Sequence, residues 1–76
     1  MLSVAPSVAD NIRSARMACG LSMSHCAHCC DYSLLEWVRW ERGFDSPSID
    51  VLRKISKVLR TTDRELLGYD NEEYTI

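Results

Sequence analysis

The six residues His25-Cys26-Ala27-His28-Cys29-Cys30 hold the densest set of metal-binding and nucleophilic side chains in this chain. Zinc takes four nitrogen or sulfur ligands in a tetrahedron. On a helix, Cys26 and Cys30 share one face. His25, His28 and Cys29 lie toward the other, with His25 and Cys29 one turn apart. That outer set supplies two or three ligands, not four, and Cys19 is the one further thiol nearby. The expectation is no metal, with Cys26 and Cys30 as small core hydrophobes. A redox switch through Cys19 or Cys29 would need an electropositive setting that lowers a thiol pKa, and the neighbouring residues do not supply one. Trp37 and Trp40 could stack on single-stranded bases only with exposed rings. Their spacing of three puts both on one inward face, so they are read as core. No set of nucleophile, base and orienting group appears, so the chain is read as non-enzymatic and free of a cofactor.

Placing these groups requires helices. Apolar residues recur at helical spacing throughout, and no stretch alternates like a strand for long. Ser7 caps a first helix, with Asp10 three residues later, and Gly20 closes it. Val8, Ile12 and Ala15 or Arg16 share one face of it. A second, short helix runs from about Ser22 to Cys30, with Cys26, Ala27 and Cys30 inward. Asp31-Tyr32-Ser33 is long enough only for a tight turn. A third helix runs from Ser33 or Leu34 to Arg42, and Gly43 stops it. Phe44-Asp45-Ser46-Pro47 is a loop. Ser48 caps a fourth helix with a stripe of Ile49, Leu52, Ile55 and Leu59. Thr62 and Glu65 form a capping box for a short fifth helix ending at Gly68. Residues 69–76 are an acidic tail without helix signals. Five helices joined by short turns predict a compact all-α bundle.

Length and charge narrow the function. Seventy-six residues make one domain, 46% hydrophobic and 26% charged, neither disordered nor membrane-spanning in composition. The N-terminal residues lack the basic start and apolar core of a secretory signal. Reduced thiols in a cytosol are the default for such a chain. A net charge of -2 argues against a broad basic surface. Asp70, Glu72 and Glu73 fall in the tail, and without them nine basic residues face eight acidic ones. Contact with a polyanion must then come from local geometry.

The window Met23–Arg42 carries the most specific pattern. Two helices joined by a tight turn cross steeply when certain positions are apolar and one is very small. Cys26, Cys30, Tyr32, Trp37 and Trp40 are the apolar positions, and Ala27 is the small one at closest approach. This is a helix-turn-helix pattern. Gly20-Leu21-Ser22 leads into its first helix, and Arg39-Trp40-Glu41-Arg42-Gly43 ends its second. Pro47-Ser48-Ile49 with Leu52, Ile55 and Leu59 follows, and then Thr62 to Gly68. In order and spacing these fragments resemble the XRE family, the lambdoid phage Cro and repressor type of DNA-binding domain, over about Val8 to Gly68.

The resemblance implies a lambda repressor-like domain over residues 8–68, with its helix-turn-helix motif at 23–42. It also implies that Arg16, late in helix one, pairs with Glu41 at the end of helix three, with Arg16 leaning toward a phosphate. The starts of helices two and three would face the duplex, where free backbone N–H groups and the helix dipole attract phosphate. Ser22, Met23 and Ser24 lie at the first of these starts. Ser33, Leu34, Leu35, Val38 and Arg39 are placed for the major groove, with Arg42 near the backbone. Arg39 is the best base reader, because an Arg grips guanine through two acceptors. The competing reading pairs it with Glu36 in solvent.

Several residues depart from the family's habit. Leu34 and Leu35 stand where base-reading polar side chains are common, and leucine contacts only thymine methyls. Met23 stands where Gln often meets a phosphate. Asp31 replaces the usual turn Gly. Asp31, Glu36 and Asp45 add acids near the groove. Two functions follow from these features. The first is a sequence-specific transcriptional regulator, bacterial or phage, cytoplasmic and nucleoid-associated. It would act as a homodimeric repressor on a two-fold DNA operator, with the fifth helix and tail as the dimer surface. The second is a protein-interaction module that keeps the fold and binds DNA weakly or not at all. An antirepressor, antitoxin-like or corepressor component would be of that kind, docking a protein partner through Leu34 and Leu35.

Overall fold

The computed structural model describes residues 7–68. The N-terminal six residues and the acidic tail at 69–76 lie outside the described residues, and so does the tail's expected part in a dimer surface. Five helices follow in order: α1 Val8–Cys19, α2 Met23–Cys29, α3 Leu34–Glu41, α4 Ile49–Val58 and α5 Asp63–Leu67. Each begins at a hydroxyl side chain. Ser7, Ser22, Ser33, Ser48 and Thr62 each accept a hydrogen bond from the backbone amide three residues on. Such a cap satisfies one of the orphan donors at a helix start, worth ~1 kcal/mol. At α1 and α3 the box is closed reciprocally by Asp10 and Glu36. At α5 the expected box takes another form. Thr62 accepts from the Glu65 amide, while the Glu65 carboxylate takes the Thr61 hydroxyl.

The helices enclose one core of Ile12, Cys26, Ala27, Cys30, Trp37, Trp40, Leu52, Ile55, Leu59 and Leu66. Trp37 is fully buried, and Trp40 meets both Trp37 and Tyr32 edge to face at centroid distances of 5.7 and 5.1 Å. Ala27 of α2 is 1% exposed. Its carbonyl accepts from the amides of Cys30 and Tyr32, which turns the chain into α3. Asp31 makes that turn at φ 64°, a left-handed conformation in which Asp is several-fold enriched over most residues. Two polar contacts bind the ends of the domain together. The Asn11 side chain donates to the Leu66 carbonyl at 2.9 Å, and the Cys19 thiol to the Leu59 carbonyl at 3.2 Å.

One expected core residue is not in the core. Ile49 is 46% exposed. It is the first residue of α4, beyond the reach of the helices that cover Leu52, Ile55 and Leu59. Ser56 fills the inward position one turn after Leu52, with its hydroxyl donating to the Arg53 carbonyl. Among the described residues, no helix is long and apolar enough to cross a membrane.

Candidate nucleic-acid interface

The site is anchored by an ion pair at its base. Arg16 Nε donates to Glu41 Oε2 at 2.6 Å and Nη2 to Oε1 at 3.1 Å, a two-pronged grip. Nη1 of the same guanidinium donates to the Leu21 carbonyl at 2.9 Å, just before α2 begins. The indole N–H of Trp37 donates to Glu41 Oε2 at 2.6 Å. Glu41 is thus buried but saturated, which is the condition under which a buried carboxylate is tolerated. Hydrogen bonding to Glu41 raises the Arg16 pKa further above its ordinary value. One guanidinium therefore fixes α1, the start of α2 and the end of α3 relative to one another. The indole contact went unread in the sequence. The signal for it was available, since a buried Trp needs an acceptor and Glu41 stands one turn on.

A cleft of about 240 Å³ opens above this pair, lined by Arg13, Arg16, Met23, Val38, Glu41 and Arg42. It brings together four of the expected contact residues: Arg16, Met23, Val38 and Arg42. Arg13 is a cation there that the sequence reading did not include, in a long 3.9 Å pairing with Asp10. Ser22 and Ser33 are engaged as caps through their side-chain oxygens, and Ser24 is exposed beside Ser22. Leu34 and Leu35, at 47% and 68% exposure, present an apolar surface at the start of α3.

Arg39 does not pair with Glu36. Its Nε donates to Asp45 Oδ2 at 2.6 Å, and its guanidinium carbon lies 5.8 Å from the Phe44 ring centroid. Glu36 is turned instead to the Ser33 amide and hydroxyl, closing the cap of α3. The hydrogen bond with Arg39 holds the Asp45 carboxyl below its ordinary range, and the same bond raises Arg39. Sequence spacing favoured Glu36 because it shares a helix with Arg39. The loop path that brings Asp45 back leaves no periodic trace.

The His–Cys run divides as its helical spacing predicts. Cys26 and Cys30 are fully buried; Cys29 and His25 are exposed, with Sγ 3.5 Å from Nε2. Burial pushes the Cys26 thiol up to about 11 and raises Cys30 as well. A thiol held protonated this way stabilises the fold at pH below about 9, and that stability is lost as pH rises toward about 11. Among the described residues, no three His, Cys, Asp or Glu side chains are grouped to hold a metal ion.

In fold the chain is similar to the P22 c2 repressor protein, solved in complex with the synthetic operator 9T in the presence of Tl+. The TM-score is 0.80, with 23% identity, and the match covers 87% of this chain and all of that one. It is also similar to a transcriptional regulator from Listeria innocua, with a TM-score of 0.76 and 19% identity, covering 96% of this chain and 68% of that one. No protein-family model matches the chain, and no curated protein matches it in sequence. The five-helix fold is lambda repressor-like.

Proposed function

We propose that this protein is a sequence-specific DNA-binding regulator that lays α3 in the major groove and represses by occupying a promoter. The domain would run from 8 to 68, with the motif at 23–42, and would act in the cytoplasm as a homodimer on a two-fold operator. One short recognition helix reads too few bases for useful specificity, so two copies are needed. The observation that carries the reading is the linkage through Arg16. It makes α1, α2 and α3 one rigid unit and leaves the leading residues of α3 in solvent. A duplex contacts rigid, protruding helices at low entropic cost.

In this reading Ser22, Met23 and Ser24 meet one phosphate strand, and Arg16 and Arg42 support contacts from the cleft. Ser33, Leu34, Leu35, Val38 and Arg39 face the bases. The leucines would meet thymine methyls, and Arg39 would read guanine. The likeness to a repressor solved with operator DNA supports the choice of ligand. Near-neutral charge then predicts few phosphate contacts by cations and a modest salt slope for a regulator of this size.

The test begins with duplexes selected from a random pool by the wild-type protein. Arg39→Ala is expected to weaken the best duplex by ~1–3 kcal/mol and to relax one base position. Binding should also weaken with added salt. Unchanged affinity and a flat salt response would instead support the protein-interaction reading, for which the exposed Leu34–Leu35 pair is the specific observation.

A further inference from the structure

We propose that Asp45, outside the helix-turn-helix, is a specificity-determining residue that presets Arg39 to read guanine end-on. The inference rests on the DNA reading above and names the device by which the same site discriminates.

The loop after α3 folds back onto Arg39. Gly43 turns the chain at φ 78°, and the amides of Phe44 and Asp45 both point at the Arg39 carbonyl, at 3.0 and 3.4 Å. The two side chains that follow meet the Arg39 side chain. Asp45 accepts from Nε, and the Phe44 ring lies beneath the guanidinium. All three residues are exposed, so core packing does not explain the arrangement. An ion pair this open contributes little to stability.

The donor chemistry explains it better. A guanidinium carries five N–H groups in one plane. With Nε–H given to Asp45, the edge left whole carries one N–H from each terminal nitrogen, parallel and side by side. Guanine offers O6 and N7 in the major groove as two adjacent acceptors, and a bidentate Arg matches them. A free Arg loses rotamer freedom on reaching a base; one paired with Asp45 over the Phe44 ring loses part of it beforehand. The same clamp has a cost that marks its purpose. An exposed carboxylate beside a polyanion weakens binding to every sequence alike. Asp45 therefore lowers general DNA affinity and raises the contrast between guanine and the other bases.

The experiment uses the full chain, the pool-selected duplex, its three variants at the base pair that Arg39 reads, and an unrelated duplex. Arg39→Ala identifies that base pair. Asp45→Ala is expected to lower the preference for guanine there by roughly twofold to fivefold, the scale of one exposed ion pair. Affinity for the unrelated duplex should stay level or rise. A thermal melt matching wild type confirms that the variant folds. Preference for guanine unchanged or increased in Asp45→Ala would overturn the proposal, leaving Asp45 a surface partner or a lock. Loss of preference in Arg39→Ala without loss in Asp45→Ala removes the role of Asp45 alone. No change of preference in Arg39→Ala removes the reading of Arg39 and that of Asp45 together.

Discussion

Arg16 ties three helices together and lines the cleft proposed to face DNA. It makes three hydrogen bonds to two partners, and its carboxylate partner is buried. Removing the cation leaves Glu41 with the Trp37 indole as its side-chain donor among the described residues. Arg16→Met is therefore expected to lower the unfolding free energy by about 3 kcal/mol, as for a buried pair broken on one side. A urea denaturation midpoint measures it; a loss below ~1 kcal/mol would mean the pair behaves as a surface one. At this scale the sequence is unevenly legible. The Arg16–Glu41 pairing followed from resemblance to a family pattern, because the two residues are 25 apart and no periodicity connects them. The Arg39–Asp45 contact escaped notice for the same reason. It depends on the turn at Gly43, and local spacing pointed to Glu36 instead.

Helix starts and stops were the most legible elements, because a hydroxyl cap and a following amide are local partners. Ser7, Ser33, Ser48 and Thr62 cap where their sequence context places them, and Ser22, expected near the start of α2, is its cap. The inward faces were legible from the same periodicity, with Ile49 the exception. A stripe shows which side of a helix is apolar, not how far the neighbouring helices extend along it. Ala27 is the smallest residue that α2 buries in the core. Ala27→Leu adds volume to a contact with 1% exposure and is expected to destabilise the fold by ~1–3 kcal/mol or more. Leu35→Ala on the exposed face of α3 should change stability by less than ~0.5 kcal/mol. Paired denaturation curves compare the two; an equal effect would mean that the crossing has slack.

Over the whole molecule, shape compensates for charge. Nine cations against eight anions outside the tail cannot produce a broad attractive field. Contact with a polyanion would then be local, through the cleft lined by Arg13, Arg16 and Arg42 and the Arg39 guanidinium paired with Asp45. Entry of the leading edge of α3 into a duplex is read out by amide chemical shifts of the labelled protein titrated with its pool-selected duplex. The largest shifts are expected at residues 22–24 and 33–42, with α4 and α5 little changed. Largest shifts on α4 or α5, with the start of α3 unmoved, would contradict it.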